Sequence, residues 1–332
     1  MTPTLACPYP RLRWFDKVVT ALTWACAIAV FATVGWMAIS PDDPRGAVSL
    51  SIGDVAVVIP QVAALAAVVA GVVTAIIGRM LPDAGTFAVA VGLAGANLQG
   101  HPSSYLLMNA TGVGARRILC LSLVAEAVVW FLVIAVAFVV SGLVMRWCWC
   151  YGRGESDADA GPAKLATLSI ADVPVLGRLV CGARLTADAT RPRKGVLHGV
   201  VTALAALLLI RLLATGSPAR TVQHGQVYFS LAAAFFIGGY AAHRMFPVRT
   251  ALWGCLAVPV VCIIGYAWTM LRAQGPASYA RIASVPPTAF IRALPLEYIS
   301  VGIAGVLASF WGRASPGQPA DERDRPVEGS RA

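Results

Sequence analysis

Residues Val55–Gly78 read VAVVIPQVAALAAVVAGVVTAIIG, an unbroken run without one charged side chain. A helix rises about 1.5 Å per residue and the hydrocarbon core of a bilayer is about 30 Å thick, so about 20 apolar residues make a span. This run passes that measure. Six others do so with varying ease: Val18–Ser40, Ile118–Met145, Val196–Ala214, Val227–Phe246, Ala251–Leu271 and Thr288–Trp311. An eighth segment, Ala84–Leu98, is short, rich in Ala and Gly, and runs into the polar stretch Gln99–Ser104. It crosses only by continuing through Tyr105–Met108. The alternative is seven spans plus a re-entrant segment, whose backbone has to be buried in protein or line water.

Composition agrees with this reading. The chain has 332 residues, 58% hydrophobic and 13% charged, where a soluble domain carries about a quarter charged residues. A disordered chain, an ordinary nucleic-acid-binding domain and a cytosolic enzyme are excluded. The net charge of +10 is therefore read first as topology. With eight spans and both termini in the cytoplasm, 18 of the 26 basic residues lie inside and six outside (Arg45, Arg116, Arg117, Arg220, Arg272, Arg281). With seven spans and the N-terminus outside, the same count is 15 against nine. The bias favours eight. Trp14, Trp36, Trp147, Trp149, Trp253, Trp268 and Trp311 fall near span ends, where indole sits between headgroups and hydrocarbon; Trp24 and Trp130 lie deeper.

The expected architecture is an all-α polytopic transmembrane bundle of about eight spans. Residues 1–145 form a first half of four spans and residues 196–311 a second. Residues 146–195 form a cytoplasmic loop with an acidic stretch Gly152–Lys164, and residues 312–332 a disordered tail. In the loop, Val175, Leu176, Leu179, Val180 and Ala183 share one helical face, which suits an amphipathic helix at the membrane surface or across the bundle ends. The first span is too long for a signal-peptide core and reads as an uncleaved anchor. Arg supplies 23 of the 26 basic residues, as a GC-rich bacterial genome would, so the expected location is a bacterial cytoplasmic (inner) membrane.

Motifs of soluble catalysis are absent: no P-loop, H-E-x-x-H, C-x-x-C or G-x-S-x-G. Neither enzyme activity nor a cofactor or metal is expected. Cys148 and Cys150 have the wrong spacing for a zinc pair, and Cys255 and Cys262 read as small packing residues. Asn109-Ala110-Thr111 matches a glycosylation acceptor but lies too near a span to carry weight.

Ionisable residues inside spans are more informative, because each costs about 2.5–3.5 kcal/mol or more at a helix centre. Glu126 and Glu297 are the candidates for a substrate or ion path, with Gln61 and Ser122 as polar companions. Arg211 and Arg292 lie near span ends, where they snorkel or pair with the glutamates, for example Arg292 with Glu126. Pro60, Pro259 and Pro295 are expected to bend their helices. Two halves, each with a glutamate in its fourth span, invite a comparison as a parallel repeat. Small residues four apart (Ala63, Ala67, Gly71; Ala88, Gly92, Ala96; Ser230, Ala234, Gly238, Ala242) predict close helix packing.

Ala110-Thr-Gly-Val-Gly-Ala-Arg116-Arg117-Ile-Leu, followed by Glu126-Ala127, resembles a segment of ABC-type permeases over about 18 residues of the chain. The resemblance implies that Arg116 and Arg117 are cytoplasmic and touch an ATPase, opposite to the side that the charge count gives them. The leading expectation is a transporter or permease component, with another membrane subunit or an ATPase as partner. The alternative is a non-catalytic membrane subunit or scaffold of a larger complex. The bilayer is a partner in both, and nucleic acid in neither.

Overall fold

The computed structural model describes residues 14–40, 48–50, 55–78, 80–81, 83–100, 113–145, 147–148, 192–214, 224–248, 250–272, 290 and 293–312. Among them every regular element is a helix. The expected amphipathic helix at 175–183, the acidic stretch 152–164, the tail from 313, Asn109–Thr111 and Arg292 lie outside the described residues.

Among the described residues eight helices follow one another: α1 Trp14–Ile39, α2 Val55–Ile77, α3 Ala84–Asn97, α4 Val113–Met145, α5 Pro192–Leu213, α6 His224–Met245, α7 Leu252–Arg272 and α8 Pro295–Gly312. Six of them, α1, α2, α4, α5, α6 and α7, are long and apolar enough to cross a membrane. These six neighbour one another in the order α1–α2–α4–α7–α5–α6, and α3 and α8 pack together inside. Eleven of the 14 residues of α3 and 13 of the 18 of α8 are buried, so both helices are enclosed by protein on nearly all sides. The outer helices turn rows such as Val68, Val72 and Ile76, or Leu204, Leu208 and Leu212, outward.

Helix directions follow from the contacts. Gly71 faces Val140 and Val144, and Gly78 faces Met145, whereas Ser49, just ahead of α2, reaches Glu126. So α2 and α4 run parallel. Between them α3 runs the opposite way: it starts after a tight turn at Asp83, in the left-handed region at φ 64°, beside Thr74 and Ser141. It ends where Gly100 meets the backbone of Val48. In the second half His198 of α5 sits against His243 and Phe246 at the end of α6, and Tyr266 of α7 reaches Ala293 ahead of α8. These pairs are antiparallel. The beginning of α1 and the end of α8 share one face, where Trp24 stacks on Trp311 at 5.6 Å between ring centroids and Phe87 of α3 lies 4.8 Å from Trp311.

Small residues make this packing possible. Ala88, Ala96, Ala234 and Ala242 have no exposed surface. Phe31, also fully buried, lies so close to Gly92 that a Cβ there would collide with its ring. Phe31 opens a five-residue π-helical turn, Phe31–Gly35, of the kind that widens a helix locally. The Ala32 carbonyl of this turn accepts a hydrogen bond from Gln99 Nε2 at 2.8 Å, tying α1 to the end of α3.

One expectation is corrected here. Pro295 does not bend the eighth helix, because it is that helix's first residue. Proline suits this position, since its missing N–H would have no partner inside the helix anyway. Pro60 and Pro259 do lie inside α2 and α7.

Candidate functional site

Among the described residues two stretches of non-helical chain enter the bundle on the face opposite Trp311. The first is Val48–Leu50, whose Val48 and Leu50 are buried. Away from water, its polar groups need partners within the protein, and Glu126 of α4 provides them. Ser49 Oγ donates to Glu126 Oε2 at 2.9 Å, and Trp130 Nε1, one turn further along α4, donates to Oε1 at 3.0 Å. The Leu50 backbone N–H also bonds this carboxyl. Glu126 is thus a three-donor anchor for the chain between α1 and α2.

The second stretch leads into α8. Leu294 caps the helix, Pro295 and Leu296 follow, and Glu297 is the third helical residue. Its Oε2 accepts the Leu294 backbone N–H at 2.7 Å, the return bond of a capping box. Two tyrosines hold the neighbouring carbonyls: Tyr266 donates to Ala293 O at 2.6 Å, and Tyr298 to Phe290 O at 2.9 Å. Their rings meet edge to face, 6.1 Å apart.

These groups form one polar core. Tyr266 lies within electrostatic reach of both Glu126 and Glu297. Tyr228 of α6 lies within reach of Glu297. The Tyr228 hydroxyl donates to Ala94 O at 3.0 Å and accepts from Asn97 Nδ2 at 3.2 Å. Five helices, α3, α4, α6, α7 and α8, therefore bring polar side chains to one buried region near the end of α3.

The residues singled out in the sequence fare differently. Glu126 and Glu297 meet in this core, yet they occupy unlike places: one lies well inside a long outer helix, the other in the first turn of a central helix. Ser122 is half-buried and returns its hydroxyl to Leu119 O, 2.8 Å away on its own helix. Gln61 and Arg211 are exposed. Cys255 and Cys262 are fully buried, as packing residues should be.

Sequence reasoning missed Asn97, Tyr228, Tyr266, Tyr298 and Ser49. The available signal was an amide at the end of an Ala- and Gly-rich run, with tyrosines near the span ends that face it. It also missed His198 and His243 near the opposite face, buried with rings 5.6 Å apart. The His198 Nδ1–H donates to Phe246 O at 3.1 Å; a carbonyl can only accept, which settles the proton's position on that nitrogen. Among the described residues no three His, Cys, Asp or Glu side chains gather as metal ligands.

No family model matches this chain, and neither does any curated protein or solved structure.

Proposed function

We propose that this multi-pass membrane protein is a transporter or the permease subunit of one, with Glu126 and Glu297 at the centre of its path. The observation that carries the reading is the convergence of carboxyl groups from both halves on a buried polar core. Intramembrane ionisable residues are costly and mark ion or substrate routes. The core lies at the end of α3, whose last residue, Asn97, bonds Tyr228 there.

The proposed threading has eight crossings in a bacterial inner membrane, with both termini in the cytoplasm. The parallel run of α2 and α4 supports it, since α3 must then return between them rather than re-enter. The common face of the α1 start and the α8 end supports an even number. Lys17, Arg193, Lys194 and Arg244 lie toward that face, in keeping with the positive-inside bias. Arg117 then lies on the opposite face, so the ATPase contact implied by the permease resemblance does not form through it.

A test compares uptake of labelled solutes by cells producing the wild type, Glu126→Gln or Glu297→Gln, with unfolding temperature checked for each. Loss of an uptake activity by a variant that still folds is the expected result. Unchanged uptake in both variants breaks the reading. A second reading, a non-catalytic membrane subunit, is favoured by the structural bonds that both carboxyls make to Ser49, Leu50, Trp130 and Leu294. It predicts co-purification with a partner that neither substitution disturbs.

A further inference from the structure

We propose that Glu126 binds a proton and that Ser49 is the group that passes it in from the face opposite Trp311. The inference rests on the proposed function and deepens it by naming the coupling ion, and its test reads proton binding rather than uptake.

The three groups bonded to the Glu126 carboxyl are not chemically alike. The Trp130 indole N–H and the Leu50 backbone N–H only donate. A hydroxyl both donates and accepts, and Ser49 Oγ lies 2.9 Å from Glu126 Oε2. Exposure separates the three in the same way: Trp130 and Leu50 are buried, as is Glu126, whereas Ser49 is half-buried. Ser49 is thus the member of the set that can hand over a proton, and the one with open surface. In the ionised state its hydroxyl donates to Oε2. In the protonated state the Oε2 hydroxyl donates back to Ser49 Oγ, so the pair stays bonded in both, and Oε1 keeps Trp130 throughout. In the transfer, a hydronium ion at the surface gives its proton to Ser49 Oγ and leaves as water. The proton that Ser49 already held moves to Oε2, where the new O–H bond forms, and rotation of the serine hydroxyl resets the relay.

The surroundings favour a proton as the occupant. A carboxylate buried in a membrane protein needs a counter-charge or a proton. No Lys, Arg or His among the described residues pairs with Glu126. On its own helix Arg117 is exposed and Cys120 stands six residues away. On α7, Cys262 and Tyr266 lie within electrostatic reach of it; on α8, Glu297 and Tyr298 belong to the same core. The sequences of α2 and α3 contain no titratable side chain. None of these facing groups offers a positive charge. A metal ion would need several oxygen ligands, whereas a proton needs only that the Ser49 bond reverse.

The experiment follows the infrared carbonyl band of protonated carboxyl groups in the purified full-length protein in detergent, across about pH 4 to 9. The expected result is a component of the titrating band that Glu126→Gln removes. After a pH jump, Ser49→Ala should slow the rise of that component about a hundredfold, the low end of what a positioned proton-transfer group contributes. Ser49→Thr keeps the hydroxyl and should retain the wild-type rate. The Ser49 comparison leaves the carboxyl unchanged, so it tests the relay even where Glu126→Gln does not fold. A titrating band identical in wild type and Glu126→Gln overturns the proposal, and so does an unchanged rate in Ser49→Ala. Proton binding without any uptake activity breaks the transport reading and leaves this site standing; uptake lost in Glu126→Gln without a titrating component overturns this site alone.

Discussion

Glu126 and Glu297 perform opposite kinds of structural work at nearly the same place. The Glu126 carboxyl joins parts of the chain far apart in sequence, reaching Ser49 across 77 positions. The Glu297 carboxyl bonds the backbone three residues before it. The first is an anchor of tertiary structure and the second a cap of secondary structure. A carboxyl deep in a membrane protein is stable where backbone has left the helix and its N–H groups need acceptors. Both glutamates sit beside such a stretch, and this shared reason accounts for their closeness.

The difference makes predictions of decreasing size. Glu126→Leu should be the most damaging, because it strands the Trp130 indole N–H, the Ser49 hydroxyl and the Leu50 N–H at once. At about 1–3 kcal/mol for each unmet buried donor, the loss should reach about 3 kcal/mol or more in detergent unfolding experiments. A loss no greater than that of Glu297→Ala would remove the distinction between anchor and cap. Glu297→Ala should cost about 1–2 kcal/mol, the usual range for a lost cap, and Glu297→Gln should recover most of it because its side-chain oxygen still accepts from Leu294. Smallest is Trp130→Phe, which removes one of three donors while keeping a ring, at about 1 kcal/mol; a larger loss would mean that the indole matters more for packing in the core than for its bond to Glu126.

Much of the architecture is legible in the sequence alone. Each apolar run corresponds to a helix, and Ala84–Leu98 forms the helix Ala84–Asn97. Such runs are readable because hydrophobicity adds up along a local window. The small-residue rows at Ala88, Gly92 and Ala96, and at Ala234, Gly238 and Ala242, do lie in buried contacts, because spacing on one helix is also local. Pro295 shows where local reading fails. A proline in an apolar run reads as a bend when the run is taken to begin earlier, and as an ordinary first residue once the helix is seen to start there. Ser122 fails for another reason: its hydroxyl is satisfied by Leu119 on its own helix, so a polar letter in a span did not mark a polar surface.

The central position of α3 and α8 could not be inferred from their letters. Neither is among the six helices that are long and apolar enough to cross a membrane by themselves, and both are the most enclosed. Enclosure comes from which outer helices surround them, and those contacts depend on direction and register across the whole bundle. The same holds for the core. That Glu126 and Glu297 are costly inside a membrane follows from their residue type alone. That Ser49 helps to meet that cost, and that Tyr266 stands within reach of both glutamates, depend on chain segments far apart in sequence. Apolar burial is an additive property of neighbouring residues, whereas a hydrogen bond exists only when donor and acceptor are brought within about 3 Å, and only the packed helices do that.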